Sequence, residues 1–251
     1  MRNLIKKRYA CILLLLLVIG AGCSDWLDVR PRNEMKEDDM YANEEGFKSA
    51  LTGAYIQLAA EGLYGRDASM YLPEMLAQHW TISTDKTSLI YNICAFDYTH
   101  EKSEEAIEKL WKKYYQCIVH LNNVLGNLET TGVTFTNGNE DLIKGEALGL
   151  RGFLHLELLR LFGPIPREAT ASSPAIPYQE EMTKDPGKLH TITYKEVCEK
   201  IVRDLDAAEK LLVKDPILVG SNRQLNQHMI GKVSLRTSGN SIGKFVLITM
   251  Q

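Results

Sequence analysis

The chain has 251 residues, and its 29 Lys and Arg stand against 32 Asp and Glu, which gives a formal net charge of −3. A mildly acidic chain lacks the basic footprint that phosphate binding requires, so nucleic acid is not an expected partner. The length suits one or two domains with a sizeable hydrophobic core.

Residues 1–22 predict a lipoprotein signal peptide. Four basic residues precede an apolar run from Ala10 to Ile19, and the small residues 20–22 lead to Cys23. This order is typical of a signal peptide, and the run is shorter than the roughly 20 apolar residues that span a bilayer. The end of the run resembles a bacterial lipobox, whose cysteine is acylated, although Gly20 stands where that pattern prefers Leu or Val. The alternative is an ordinary secretory signal with a chance cysteine.

Residues 23–42 predict an acidic tether. Removal of the signal takes away four basic residues and no acids, so the net charge moves from −3 to −7. The tether is either a solvated linker or an address label, because acidic residues after the cysteine resemble the surface-export signal of Bacteroidota lipoproteins. Its acidic residues are Asp25, Asp28, Glu34, Glu37, Asp38 and Asp39.

Apolar residues then recur at steps of three and four, which predicts helices over Asn43–Ala60, Ser103–Leu128, Glu140–Phe162 and Tyr194–Val213. Asn43 and Ser103 are the expected N-caps of the first two. A fifth helix is expected to start near Leu225. Because each helix has an apolar face that it cannot bury alone, we expect the second to pair with the third and the fourth with the fifth.

Three glycines form a stripe on the third helix, at Gly145, Gly149 and Gly152. Glycine inside a helix costs about 1 kcal/mol relative to alanine, so the stripe predicts the close approach of another helix. Residues 163–193 hold five of the eight prolines and predict an extended, irregular loop. The expected fold is all-α, with tetratricopeptide-like helical hairpins and long irregular loops.

The cysteines that remain after processing do not indicate a disulfide framework or a zinc site. Half-buried thiols are the simpler expectation for Cys94, Cys117 and Cys198.

Residues 239–243 fit the Gly-x-Ser-x-Gly pattern of serine hydrolases around Ser241. That motif requires a later acid and histidine, and none follows, so we expect no enzyme activity and no cofactor. The histidines lack His-Glu-x-x-His spacing, and His120 and His155 are expected to be packed or capping residues.

The segment 64–98, between the first two long helices, is rich in aromatic residues. Aromatic rings can cover the apolar C–H faces of sugars while amide and carboxylate groups bond their hydroxyls. The alternative is that these rings only pack the segment onto the helices, which is also the expectation for Trp111. The glycan-binding candidates are Trp80, Tyr91, Asp85, Asn92 and Tyr71.

Several stretches resemble the SusD/RagB family of lipoproteins. Residues 23–31 resemble the start of the mature family proteins, and residues 145–166 resemble a family helix that ends in Leu-Phe-Gly-x-hydrophobic-Pro. Gly152 replaces the usual Ala there, and His155 stands where Tyr is frequent. The preceding family helix is matched by Trp111, Tyr115, Ile118, Asn122 and Asn123, and a later one by Tyr194 through Leu205.

The resemblance implies a non-catalytic outer-membrane lipoprotein, exposed at the cell surface, that binds glycans or other nutrients. Its implied partners are a SusC-like TonB-dependent transporter, a polysaccharide or oligosaccharide, and the membrane through the lipid on Cys23. It implies a SusD-like helical domain over residues 43–226. Residues 227–236 depart from the Ala-rich helix that the family has at this point, and residues 237–251 resemble nothing in the family, so we expect a degenerate or truncated tail over residues 227–251. A helical scaffold that binds only protein, a lipoprotein hydrolase and a non-functional fragment remain alternatives.

Overall fold

The computed structural model describes residues 37–79, 84–183, 190–212, 235–237 and 240–242. The chain divides into two units, residues 1–37 and 38–251, and the features below belong to the second, apart from the first residue of α1. Its helices are α1 (Glu37–Met40), α2 (Glu44–Ala59), a π-helix (Asp67–Tyr71), α3 (Leu72–Leu76), α4 (Leu89–Cys94), α5 (Glu101–Thr130), α6 (Asn139–Phe162) and α7 (Tyr194–Leu212).

Helix α2 begins where its capping signal predicts. The side chain of Asn43 accepts a hydrogen bond from the Gly46 N–H at 3.0 Å, and Glu44 and Glu45 lie in the first turn. These carboxylates face the positive end of the helix dipole, which stabilises the start of the helix. The prediction that Asn43 caps this helix is confirmed.

Helix α5 begins earlier than its apolar pattern indicates. It starts at Glu101, and the His100 side chain caps it by accepting from the Lys102 N–H at 3.3 Å. The prediction of Ser103 as the N-cap is wrong, because Ser103 lies inside the helix and is buried. The first turn is polar, so the apolar periodicity does not show where the helix begins.

The core lies among α2, α5, α6 and α7, and α6 and α7 pack most extensively. Helix α5 also packs on α6, as expected for the predicted hairpin. Burying a large apolar side chain contributes roughly 1.5–3 kcal/mol, so this shared core is the main stabilising term of the fold. Its fully buried members include Phe47, Leu58, Tyr114, Leu121, Leu154 and Ile201.

The glycine stripe of α6 faces α7. A Cβ atom on Gly145 would lie 2.9 Å from Leu212 Cγ, and one on Gly152 would lie 3.1 Å from Leu205 Cγ and 3.4 Å from the Ile201 carbonyl oxygen. A larger residue at either position would require side chains of α7 to shift, and the Ile201 carbonyl shows that the backbone of α7 also lies close to Gly152. The predicted close approach of another helix is therefore confirmed.

The proline-rich stretch after α6 is irregular where it is described. It contains turns and one isolated antiparallel bridge between Pro174 and Thr193. Two short strands, β1 (Leu235–Thr237) and β2 (Asn240–Ile242), form an antiparallel pair in which Leu235 lies opposite Ile242. The predicted all-α architecture is confirmed for the helical body. Cys23 and the helix expected near Leu225 lie outside the described residues.

Cys94, Cys117 and Cys198 are free thiols, and all three are fully buried rather than half-buried. Burial raises the pKa of the Cys117 thiol to about 12, so this thiol stays protonated and unreactive at neutral pH. Within the described part of the chain, no helix is long and apolar enough to cross a membrane.

Candidate functional site

The aromatic segment between α2 and α5 is more ordered than a plain loop. It contains the π-helix, α3 and α4, and Pro73 lies in the first turn of α3, where its missing N–H costs nothing. Ser88 caps α4 by accepting a hydrogen bond from the Tyr91 N–H at 3.1 Å. These short helices fix the backbone that carries the candidate residues.

Tyr71 lies at the end of the π-helix and is half-buried. The guanidinium carbon of Arg66 lies 5.1 Å from the centre of its ring, which is the distance of a cation–π contact. One face of the ring is therefore occupied from within the segment. Trp80, the other large candidate in this part of the chain, lies outside the described residues.

The three candidates around α4 differ in exposure. Asp85 is exposed, and its carboxylate accepts from both the N–H and the hydroxyl of Thr87 at 2.9 and 2.7 Å. These bonds lower the pKa of Asp85. Tyr91 is half-buried, whereas Asn92 is buried and donates its amide hydrogens to the Lys86 and Ser88 carbonyls. The donor capacity of Asn92 is therefore used within the segment.

Tyr64, at the start of the segment, is a packing residue. Its ring lies 5.4 Å from Phe153 and 6.3 Å, edge to face, from Tyr114. Trp111 likewise packs against Tyr115 and Phe162, each at 4.9 Å. These contacts confirm Trp111 as part of the packed body, where the edge-to-face geometry suits the quadrupoles of the rings.

Two aromatic residues at the end of the segment remain exposed. Phe96 is 50% exposed and Tyr98 is 48% exposed, and their rings lie 6.4 Å apart in an edge-to-face arrangement. Phe96 has a φ of +57°, in the left-handed region that a bulky residue seldom adopts. Such strain persists only where the surroundings enforce it, so the backbone at Phe96 is held in this conformation.

The backbone bonds around Phe96 show what enforces it. The Phe96 N–H donates to the Ile93 carbonyl at 3.0 Å, and the Asp97 N–H donates to the Asn92 carbonyl at 2.9 Å. The Asp97 carboxylate in turn accepts from the N–H and hydroxyl of Thr99. Phe96 and Tyr98 both lie in the predicted aromatic segment, but neither is among the glycan-binding candidates predicted from the sequence. The Asp-x-Thr turn beside them is the signal that indicates exposure.

A second polar cluster lies away from the aromatic segment and is buried. Arg151 Nε donates to Asp204 Oδ2 at 2.6 Å, and Arg151 Nη1 donates to Asn122 Oδ1 at 3.0 Å. Burial raises the pKa of Asp204, but the bonds and charge of Arg151 outweigh burial and lower it overall. The sequence does not predict this pair, because 53 residues separate the two partners.

The described residues contain no group of three or more His, Cys, Asp or Glu side chains that could hold a metal ion. Ser241, the centre of the hydrolase-like pattern, is the middle residue of strand β2.

The packed helices define an all-α body of helical hairpins, and the exposed rings lie on the segment between its first two long helices. The chain belongs to the SusD-like family: the family model described as "Starch-binding associating with outer membrane" matches residues 25–223. This match covers every helix from α1 to α7 and the whole aromatic segment.

Individual relatives agree with this membership. SusD-like protein P2 of Formosa agariphila is 24% identical over 207 residues, which cover 82% of this chain and 38% of that protein. A SusD superfamily protein from Bacteroides thetaiotaomicron has a similar fold, with a TM-score of 0.55 and 18% identity over 74% of this chain and 44% of the other. A SusD-like carbohydrate binding protein from Bacteroides vulgatus has a TM-score of 0.52 and 20% identity over 67% and 36% of the two chains. The matched part of this chain therefore covers less than half the length of each of these relatives.

Proposed function

We propose that this chain is a glycan-binding lipoprotein of the outer-membrane surface that passes glycans to a SusC-like TonB-dependent transporter. The family description names starch binding and outer-membrane association. One similar solved protein is described as carbohydrate binding. The observation that carries the proposal is the exposed pair Phe96 and Tyr98, which lies inside the region of the family match.

The chemistry of the pair suits a sugar. A pyranose ring offers an apolar C–H face that an aromatic ring can cover, and it offers hydroxyls around its edge. Asp85 supplies an exposed carboxylate in the same segment. In this proposal Phe96 and Tyr98 join the candidates Trp80, Tyr91 and Tyr71, whereas the buried Asn92 supports the segment from within.

The proposed location rests on the N-terminal pattern. One acyl chain holds a protein only marginally at a membrane, and stable attachment requires two signals. A bacterial lipoprotein cysteine carries several chains, so a lipidated Cys23 anchors the protein durably. The acidic residues 24–39 then favour the outer surface, where a transporter and a glycan can both be reached.

Affinity electrophoresis in gels that contain soluble starch or another neutral polysaccharide tests the binding. Single Tyr98→Ala, Phe96→Ala and Trp80→Ala variants are compared with the wild type. Aromatic contacts contribute about 0.5–1.5 kcal/mol beyond the burial of their area, so each loss should weaken binding roughly 2- to 10-fold.

Ile56→Ala is the matched control, because Ile56 is a large apolar side chain on α2, outside the segment, and is 67% exposed. The control should migrate as the wild type does. If all the variants and the wild type are retarded equally, while circular dichroism shows that they are folded, the aromatic segment is not the binding site.

A further inference from the structure

The segment 176–181 has an irregular backbone, and three of its carbonyl groups accept hydrogen bonds from side chains of the helices. Tyr115 donates to the Pro177 carbonyl at 2.7 Å, Asn122 to the Gln179 carbonyl at 3.0 Å, and Arg151 to the Glu180 carbonyl at 3.2 Å. Buried backbone groups need partners, and helices α5 and α6 supply them here in place of a sheet. These side-chain bonds therefore help to hold the segment 176–181 on the helices, together with the Tyr178–Asp204 bond and the ion pairs of Glu180.

His155 supplies the partner for a backbone N–H in the same segment. Its Nδ1 lies 2.8 Å from the Arg151 carbonyl oxygen, and its Nε2 lies 3.0 Å from the Gln179 nitrogen. A carbonyl can only accept, so Nδ1 carries the hydrogen. Nε2 then offers a bare lone pair to the Gln179 N–H, which fixes the neutral tautomer.

The surroundings of the imidazole disfavour a positive charge. The ring is fully buried and stacks on Tyr178, with centroids 3.8 Å apart and planes inclined by 16°. The pKa of His155 falls from 6.5 to about 4; burial is the largest cause and the charge of Arg151 adds to it, while the hydrogen bond to the Arg151 carbonyl and the nearby acids oppose it. The groups that face the ring are Arg151 from α6, Asp204 from α7, Tyr115 from α5, and Tyr178 and Glu180 from the segment itself.

We infer that His155 is an acid-operated latch, which holds the segment 176–181 on the helices when neutral and releases it when protonated. A proton from solvent that binds the Nε2 lone pair turns this acceptor into a second N–H donor. The new Nε2–H then faces the Gln179 N–H. Because both groups are donors, the hydrogen bond between His155 and Gln179 is lost. Nδ1 cannot compensate, because the Arg151 carbonyl already occupies it.

The release depends on His155 because the neighbouring acids, Glu180 and Asp204, keep their charge in the same pH range. Burial raises the pKa of Glu180, but ion pairs with Lys200 and Arg203 lower it overall. Asp204 is likewise held below its usual pKa by Arg151. His155 is thus the group in this cluster whose charge changes between pH 6.5 and about 4.

The sign of the pH dependence follows from these values. His155 binds a proton with a pKa of 6.5 in the released form and with a pKa of about 4 in the latched form. The released form therefore gains protons first as the pH falls, and opening becomes easier by about tenfold for each pH unit below 6.5. Above pH 6.5 the opening equilibrium should not change with pH.

Amide hydrogen exchange of the full chain, followed by mass spectrometry from pH 7.5 to pH 4.5, tests the latch. Protection factors, corrected for the intrinsic pH dependence of exchange, should fall for the peptide that covers 176–181 only below pH 6.5. The buried part of α2, residues 47–58, should keep its protection over the same range. A flat profile for 176–181, or a parallel loss in α2, would overturn the inference.

His155→Gln provides the matched variant, because its carboxamide oxygen accepts from the Gln179 N–H and does not titrate in this range. Its protection of 176–181 should be independent of pH, and a profile like that of the wild type would contradict the latch. Should this variant not fold, nitrogen-15 resonances of the His155 ring in the wild-type chain decide the matter. They should show protonation of Nε2 in step with the loss of protection, and loss of protection while Nε2 remains bare would contradict it.

Discussion

The Nε of Arg151 on α6 lies 2.6 Å from Oδ2 of Asp204 on α7, and both side chains are buried. This ion pair joins the two helices that share the largest contact of the fold. Asp204 also accepts from the Tyr178 hydroxyl at 2.8 Å, so the pair connects α6, α7 and the segment 176–181.

Removal of one member of this pair should be strongly destabilising. Arg151→Met removes the partner of Asp204 Oδ2 and leaves the carboxylate with Arg203, whose Nη2 lies 2.7 Å from Oδ1. Breaking a buried ion pair costs roughly 3–5 kcal/mol, and the remaining contact with Arg203 should keep the loss near the lower end of that range. Urea unfolding followed by circular dichroism measures the loss. The double variant Arg151→Met with Asp204→Leu removes both charges and should recover part of the stability. A single variant as stable as the wild type would contradict the role of the pair.

The surroundings of two helical glycines predict opposite effects of substitution on the stability of the protein. Gly145→Val places atoms against Leu212 and Leu211 on α7, and such overpacking costs about 1–3 kcal/mol. Gly126→Ala, on α5, meets no atom within 4 Å and should stabilise the protein by about 0.5–1 kcal/mol. Thermal unfolding compares the two, and equal effects at both sites would contradict the close approach of α6 and α7.

The bonds of the Glu44 carboxylate predict that the start of α2 is sensitive to acid. Its carboxylate binds Lys48, the Thr136 backbone N–H and the Asn139 amide, and these bonds lower its pKa from 4.5 to about 2. The folded state thus holds fewer protons than the unfolded one, so stability is lost as the pH falls from 4.5 towards 2. Glu44→Gln should be less stable at pH 7 and should lose less stability on acidification. A wild-type pH profile in this variant would contradict the prediction.

More of the fold than of the candidate site could be predicted from the sequence. Helix bounds follow from apolar periodicity, so α6 and α7 begin and end within about one residue of their predicted ends. The start of α5 could not be predicted, because Glu101 and Lys102 extend the helix without adding to its apolar face. Periodicity reports burial against the core, and a polar first turn carries no such signal.

The candidate site depends on which aromatic side chains are exposed, and the sequence of a short aromatic segment does not show this. Tyr64 and Tyr98 occupy the same segment, yet Tyr64 packs on Tyr114 and Phe153 while Tyr98 is half exposed. The role of His155 could not be predicted either, because its partner Gln179 lies 24 residues away in an irregular stretch. Contacts of this kind are fixed only by the packing of α5, α6 and α7.

The proposed anchor at Cys23 predicts lipid attachment. Cells that express the chain with radioactive palmitate should label the wild type, and Cys23→Ala should abolish the label and release the protein from the membrane fraction. Cys94→Ala is the matched control, because its buried thiol lies in the helical body. Equal labelling of wild type and Cys23→Ala would contradict the anchor.

The central claim, that this chain binds glycans through its exposed aromatic pair, is tested most directly on a glycan array. The wild-type chain and the double variant Phe96→Ala/Tyr98→Ala are compared, each shown to be folded by circular dichroism. We expect the wild type to bind at least one class of neutral glycan and the double variant to lose that binding. A folded wild type that binds no glycan, or a double variant that binds as the wild type does, would contradict the account.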